Sequence, residues 1–234
     1  MKKRKFQVQF RGHTLRGDIW GEGVPQVLLL HGAGQSEMSR FKLLREHFAR
    51  ENITTASFDF IGHGKTGGSL KSSSLKNRTE QALAVIKHLK IKELQYLIGC
   101  SMSGYTAIRL SEYIKMEKLV LIVPAVYRAD VYEVPFGPKF TKMIRAPKSW
   151  LESDAWKIVS ELRSEILIIA AGKDEVIPKN LPNRLFSKAQ KSHDRDIEYV
   201  KNASHSILAY FDEWPYLLNS VYSLIREDLY DRHF

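Results

Sequence analysis

Ser101 lies in a short stretch whose residue types could make a serine hydroxyl reactive, because residues 99–104 read GCSMSG. The apolar run 94–98 before it predicts a buried strand, and the amphipathic run after it predicts a helix. A serine among small residues at a tight strand-to-helix turn is typical of a nucleophile elbow, G-x-S-x-G, which holds the hydroxyl clear of the backbone. Ser103 stands where the second glycine is expected, and we expect the turn to tolerate it because serine is small. On this stretch alone, an ordinary turn with a capping serine is the alternative.

A serine hydroxyl is a weak nucleophile, so this chemistry also needs a base and a third group that orients the base. His205 and Asp174 each follow a short run that predicts a strand. The chain order Ser101, Asp174, His205 is one of the known orders for a nucleophile, an acid and a base. Glu175 and Asp130 are the alternative candidates for the acid.

The negative oxygen that forms when a serine attacks a carbonyl group needs nearby N–H donors. Met102 begins the predicted helix directly after Ser101, and the start of a helix favours negative charge. A second small-residue loop, 31–36, follows the apolar run 27–30, and Ala33 in this loop supplies the second predicted donor. We therefore predict an oxyanion hole formed by the backbone N–H groups of Ala33 and Met102.

Predicted strands and helices alternate along the chain, which indicates an α/β fold with a mostly parallel sheet and helices on both faces. An antiparallel hairpin is predicted over 6–20, where apolar and polar residues alternate. The loops after parallel strands meet at one edge of a sheet, so we expect the candidate residues to meet there. The predicted strands are 27–30, 54–60, 94–98, 118–123, 166–170 and 197–200, and the predicted helices are 40–52, 72–89, one after Ser101, one starting near Pro178, and 211–227.

Four local patterns together resemble the α/β-hydrolase superfamily, and they extend over nearly the whole chain. They are the loop 31–34 (HGAG), the stretch 59–64 (DFIGHG), the turn 99–104 (GCSMSG), and the loops that carry Asp174 and His205. The resemblance implies an α/β-hydrolase fold and hydrolysis through an acyl-serine intermediate. In that reaction Ser101 is the nucleophile, His205 the base and then the acid, and Asp174 the group that orients His205. The chain is similar to the small carboxylesterase and lipase-like branch, which implies a small-molecule carboxylic ester, thioester or amide as substrate.

The remaining histidines and the single cysteine give no sign of a second chemistry. His31 and His63 belong to the family patterns, and we expect them to shape their loops rather than to catalyse. Cys100 is expected to be a buried, inert side chain. Histidine and cysteine are too scattered for a zinc site, and no P-loop or dinucleotide-binding fingerprint is present. The sequence therefore predicts no metal and no cofactor.

The chain is predicted to form one domain, 1–234, with a cap-like insertion at about 124–165, where the family inserts its cap. We expect this segment to be a short, partly helical cover that gives the site an apolar wall and a positively charged mouth. The alternative is that its aromatic side chains pack the segment onto the sheet. The aromatic residues are Tyr127, Tyr132, Phe136, Phe140, Trp150 and Trp156, and the basic residues are Lys139, Lys142, Arg145 and Lys148.

Composition argues against several other classes of protein. The net charge is +10, but the basic residues are mixed with 26 acidic ones and accompany no nucleic-acid-binding motif, so we expect no nucleic-acid partner. No apolar run approaches the ~20 residues that span a bilayer, and the first residues lack the apolar core of a signal peptide. The single Cys100 cannot form an intrachain disulfide. We therefore predict a cytoplasmic location. The sequence does not predict the oligomeric state.

Two other functions stay open at this point. The same three side chains can support hydrolysis of a carbon–carbon bond in a diketone-like compound. The scaffold could also serve a non-catalytic ligand-binding or interaction protein, because fold does not determine function. The complete set of Ser101, Asp174 and His205 argues against this last alternative.

Overall fold

A single eight-stranded sheet is the centre of the computed structural model, which describes residues 2–227. The strands are β1 (Lys3–Phe10), β2 (His13–Trp20), β3 (Val27–Leu30), β4 (Thr55–Asp59), β5 (Glu93–Cys100), β6 (Lys115–Ile122), β7 (Glu165–Ala171) and β8 (Arg195–Val200). Their order across the sheet is β1-β2-β4-β3-β5-β6-β7-β8. β1 pairs antiparallel with β2, and β2 pairs antiparallel with β4. All other neighbours are parallel, so the predicted hairpin and mostly parallel sheet are confirmed.

The inner strands are buried on both faces, which is why they read as continuous apolar runs. β5 lies between β3 and β6, and Ile98 is in register with Leu29 on one side and Val120 on the other. All three side chains are fully buried. The strand that leads into Ser101 is therefore held on both sides by apolar neighbours.

Eight α-helices cover the two faces of the sheet within residues 2–227. They are α1 (Lys42–Arg50), α2 (Leu75–His88), α3 (Met102–Leu110), α4 (Pro138–Ile144), α5 (Ala155–Glu161), α6 (Leu181–Lys188), α7 (Ile207–Glu213) and α8 (Pro215–Arg226). Apolar side chains of α1, α7 and α8 belong to one buried cluster, and those of α2 to α6 belong to the other. The two clusters confirm the predicted α/β class with helices on both faces. No helix in this part of the chain is long and apolar enough to cross a membrane.

Two predicted helix boundaries were wrong, and proline explains both. The predicted helix 211–227 is two helices, because Pro215 lacks a backbone N–H and begins α8 as its first residue. The preceding Trp214, at φ −126° and ψ 69°, is outside the helical region, as the residue before a proline usually is. The helix predicted near Pro178 starts at Leu181, with Pro182 in its first turn. Pro178 lies in the loop before it.

The segment 124–165 is partly helical and is fixed to α3. It contains short 3-10 helices at Ala129–Val131 and Ser149–Glu152 together with α4 and α5. Its six aromatic residues all pack in or against the buried cluster that includes α2 and α3. Asp154 accepts hydrogen bonds from Tyr105 Oη at 2.6 Å and from Arg109 Nη1 at 2.7 Å. The aromatic residues therefore pack the segment onto the rest of the domain. That the segment forms a cap over the site stays a prediction.

The turn between β5 and α3 has no room for a side chain at residue 99. A Cβ atom at Gly99 would lie 2.3 Å from the backbone oxygen of Ser103 and 2.8 Å from Ala107 Cβ. We expect Gly99→Ala to lower the free energy of unfolding by about 1–3 kcal/mol, because the strand and helix must separate. Urea denaturation measures this change.

Lys139→Ala is the control for this substitution. The Lys139 side chain is exposed on α4, and alanine suits a helix. We expect a change within about 0.5 kcal/mol, as at an ordinary surface position. Equal losses in the two variants would contradict the steric explanation.

Candidate active site

Ser101 occupies a strained backbone conformation at the end of β5. Its φ of 51° and ψ of −117° lie in a region that non-glycine residues rarely adopt. Three backbone hydrogen bonds hold it there: its N–H donates to Ile122 at 2.9 Å, and its carbonyl accepts from Gly104 at 2.8 Å and Ala125 at 3.0 Å. Such strain persists when the surroundings fix it from several sides, and it is most common at functional sites.

The structure brings Ser101, His205 and Asp174 together in one chain of hydrogen bonds. Ser101 Oγ lies 2.9 Å from His205 Nε2, and His205 Nδ1 lies 2.9 Å from Asp174 Oδ2. The three residues come from the loops after β5, β7 and β8, which meet at the carboxyl edge of the sheet as predicted. Of the alternative acids, Glu175 is exposed and Asp130 pairs with Arg128 at 2.8 Å, so neither takes the place of Asp174.

Asp174 is held as a carboxylate. Burial by itself raises the pKa of Asp174, but the hydrogen bond from His205 and those from the N–H groups of Ile177 and Val176 outweigh burial. The pKa therefore lies below its ordinary value. A carboxylate at this place favours a proton on His205 Nδ1, which leaves Nε2 as the nitrogen able to accept the Ser101 proton.

The two predicted oxyanion donors belong to residues close to Ser101. Met102 follows it directly, and Ala33 follows Gly32, whose Cβ, if present, would be 3.2 Å from Ser101 Cβ. Within residues 2–227, neither the Ala33 nor the Met102 N–H takes part in a hydrogen bond. Both N–H groups are therefore unpaired in this part of the chain, and their role as oxyanion donors stays a prediction.

Arg78 is a buried residue of this site that the sequence analysis missed. Its side chain is 1% exposed, and its Nη2 donates to His31 O at 2.6 Å, Gly32 O at 3.3 Å and Ser103 Oγ at 2.9 Å. Burial lowers the pKa of Arg78 to about 9, so the guanidinium stays charged at neutral pH. A signal was present in the sequence: Arg78 is three residues after Leu75 and four before Ala82, on the apolar face of its helix.

Ser103 belongs to the same network and does more than fit the turn. Its hydroxyl donates to His31 O at 2.6 Å while accepting from Arg78. A glycine at this position would supply neither bond. The departure from the G-x-S-x-G pattern thus coincides with a buried hydrogen-bond partner for Arg78.

His31 and His63 are buried, neutral and outside the Ser101 hydrogen-bond chain. His31 Nε2 accepts from the N–H of Phe60 at 3.1 Å, so its Nδ1 carries the proton and donates to Gly32 O at 2.8 Å. Burial is the main reason that the pKa of His31 lies well below its ordinary value and that of His63 is about 4. Cys100 is equally inert, because burial raises the pKa of its thiol to about 12.

A cavity of about 310 Å³ opens beside Ser101 and His205. That volume is at the lower end of the range for small-molecule sites, so it suits a small substrate. Its walls are formed by the loop after β3, by Arg40 and by the start of α7, and no residue of 124–165 lines it. In the part of the chain that the structure describes, no three His, Cys, Asp or Glu side chains are grouped to hold a metal ion.

Comparison with known families identifies one match. The family model described as "Hydrolase_4: Serine aminopeptidase, S33" matches residues 22–152. This range includes Ser101, Ala33 and Met102 and ends before Asp174 and His205. No curated protein matches the chain significantly.

Solved structures with the same fold include several hydrolases. An esterase from Exiguobacterium antarcticum has a TM-score of 0.72 and 18% identity, over 94% of this chain and 99% of that one. A thioesterase domain from the curacin biosynthetic pathway has a TM-score of 0.71 and 13% identity, over 96% and 99%. A meta-cleavage product hydrolase from Pseudomonas fluorescens IP01 has a TM-score of 0.69 and 18% identity, over 95% and 98%. These likenesses confirm the α/β-hydrolase fold.

The buried histidines predict a loss of stability in acid. Because the pKa of His63 is about 4 when folded and near 6.5 when unfolded, the unfolded chain binds a proton between these values and the folded chain does not. Stability therefore falls as the pH drops below about 6.5. We expect His63→Gln to reduce the loss between pH 7.5 and pH 5 by roughly 1–2 kcal/mol. Urea denaturation at the two pH values measures it.

His193→Gln is the control, since the His193 ring is exposed. This variant should retain the pH dependence of the wild type. A His63→Gln curve parallel to that of the wild type would contradict the role of the buried ring.

Proposed function

The chain belongs to the serine aminopeptidase S33 family of hydrolases, and on that premise we propose that it is a serine hydrolase cleaving a carboxylic ester. The observation that carries the proposal is the pair of 2.9 Å contacts from Ser101 to His205 and from His205 to Asp174. The base is thus within hydrogen-bond reach of both the nucleophile and the orienting carboxylate. Strain at Ser101 and the cavity beside it give further support.

In the proposed reaction, His205 Nε2 takes the Ser101 proton as the serine oxygen attacks the carbonyl carbon of the ester. The carbonyl oxygen becomes negative and accepts hydrogen bonds from the Ala33 and Met102 N–H groups. His205 then returns the proton to the departing alkoxide, which leaves as the alcohol. Asp174 stabilises the imidazolium that exists between these two transfers.

The second half of the reaction repeats these steps with water. The acyl-serine is attacked by a water molecule whose proton goes to His205, and the acid is released as Ser101 Oγ regains a proton. No metal or cofactor has a role. The absence of a cofactor stays a prediction, as does the cytoplasmic location.

The solved structures with the same fold support hydrolysis of an ester, and they also support two other kinds of bond. The esterase from Exiguobacterium antarcticum supports an ester substrate, and the curacin thioesterase domain supports a thioester. The meta-cleavage product hydrolase supports carbon–carbon bond hydrolysis as the second candidate. The small size of the cavity supports a modest substrate in each case.

A fluorophosphonate probe tests the proposal directly. We expect the wild-type protein to be labelled at Ser101 and to turn over 4-nitrophenyl acetate. Ser101→Ala should remove the labelling and lower kcat by several powers of ten, because the nucleophile is lost. Peptide mass spectrometry identifies the labelled residue, and absorbance at the nitrophenolate band follows turnover.

Ser160→Ala is the matched control, since Ser160 is on α5. Within residues 2–227 its hydroxyl donates one hydrogen bond, to the Lys157 carbonyl. It should be labelled and active like the wild type. A wild-type protein that is neither labelled nor active would favour a non-catalytic binding protein. Hydrolysis of diketones in preference to all esters would favour the carbon–carbon bond hydrolase.

A further inference from the structure

The cavity beside Ser101 carries a positive charge at its mouth. Of the cavity-lining residues within 2–227, Arg40 has the only side chain with a permanent charge, and no acidic side chain lines the cavity. Gln35 and Ser36 add neutral polar groups to the lining. The basic residues of 124–165, which were predicted to form a positive mouth, are not among the lining residues. The positive charge of the lining therefore comes from Arg40, in the segment between β3 and α1.

Arg40 has no carboxylate partner in residues 2–227, unlike several other arginines. Arg45, Arg109 and Arg226 each pair with an acidic side chain at 2.5–2.7 Å. The nearest acid along the chain is Glu37, and its carboxylate accepts a hydrogen bond from Ser39 Oγ. The guanidinium of Arg40 is exposed and available to a ligand.

We propose that Arg40 binds a carboxylate group of the substrate, so that the protein prefers esters that carry a negative charge at a distance from the scissile bond. A guanidinium presents a planar fork of N–H donors that matches a carboxylate and binds it through two hydrogen bonds. Ser101 and His205 line the same cavity as Arg40, so one small molecule can reach all three. This inference rests on the proposed hydrolase function.

The test compares charged and neutral esters of matched size. One arm places the carboxylate on the acyl half, with mono-4-nitrophenyl esters of adipate, pimelate and suberate, which are too long to close readily to an anhydride, against their terminal methyl esters. The other arm places it on the alcohol half, with 4-acetoxybenzoate against 4-acetoxybenzamide. Wild-type protein should prefer the charged member of at least one pair by about fivefold or more in kcat/KM, as a charge-assisted contact allows. Added salt should reduce this preference.

Arg40→Gln should remove the preference, mainly through a higher KM for the charged ester. Arg50→Gln is the matched control, because Arg50 is an exposed arginine at the end of α1 that does not line the cavity. It removes the same charge and should leave the preference intact. The arm and chain length that respond to Arg40→Gln identify the half of the substrate that carries the carboxylate.

Two results would overturn the inference in different ways. Turnover of neutral and charged esters at equal rates, or a preference that survives Arg40→Gln, would refute the carboxylate site while the hydrolase function stands. No turnover of any ester and no fluorophosphonate labelling would refute the function itself, and the carboxylate site with it.

The buried hydrogen bonds of Arg78 support a second, independent inference, about the loop after β3 that contains Ala33. The Gly32 carbonyl accepts from His31 Nδ1 at 2.8 Å and from Arg78 Nη2 at 3.3 Å. In a trans peptide the carbonyl and the following N–H point in opposite directions, so fixing the Gly32 carbonyl also fixes the Ala33 N–H. We infer that Arg78 is a positioning residue that aims the Ala33 N–H at the developing oxyanion.

Arg78→Met tests this role, and Arg78→Lys serves if the first variant does not fold. Both should lower kcat about tenfold or more with little change in KM, because the oxyanion forms in the transition state. The inhibition constant of a trifluoromethyl ketone, which forms a hemiketal anion on a serine, should rise in parallel. Arg78→Lys should lose less than Arg78→Met. A loss of activity with an unchanged inhibition constant, or no loss in either folded variant, would refute the positioning role.

Discussion

The backbone of Ser101 is the constraint on which the rest of the site depends. A non-glycine residue at φ 51° and ψ −117° costs of order 1–3 kcal/mol and needs neighbours that leave it no alternative. The β6 strand supplies one bond through Ile122, and the chain after β6 supplies another through Ala125. The absence of a side chain at Gly99 lets α3 approach the strand closely. Strand pairing, turn and helix thus place a single hydroxyl at the edge of the sheet.

A second constraint is the buried charge of Arg78. Removing a cation from water costs several kcal/mol unless hydrogen bonds or an opposite charge compensate it. Here two carbonyls and the Ser103 hydroxyl accept from the guanidinium, and the Phe60 ring lies 3.7 Å from its centre. The two carbonyls belong to the loop after β3, and Ser103 is in the first turn of α3, directly after Ser101 and Met102. The buried charge is therefore directed at the loop that carries Ala33, the proposed oxyanion donor.

The neutral histidines and the ionised Asp174 divide the polar groups of the site into two kinds. His31 and His63 lie in the interior, where burial keeps their rings uncharged and suited to fixed hydrogen bonds. Asp174 receives three hydrogen bonds that favour its charged form, and it faces the partly exposed His205. The scaffold thus uses histidine as a static bonding group and, in the proposed reaction, also as a proton carrier. Environment decides which role each ring has.

Local sequence determined much of this protein. Apolar runs marked the inner strands, the GCSMSG turn marked Ser101, and the order of Ser101, Asp174 and His205 indicated the hydrogen-bonded chain that the structure contains. Only the tertiary structure decided the choice of Asp174 over Asp130 as the partner of His205 and the network of Arg78 and Ser103. The physical reason is that periodicity shows which side of a helix or strand is buried. It does not show which side chains pack against that side, because they belong to residues far away along the chain.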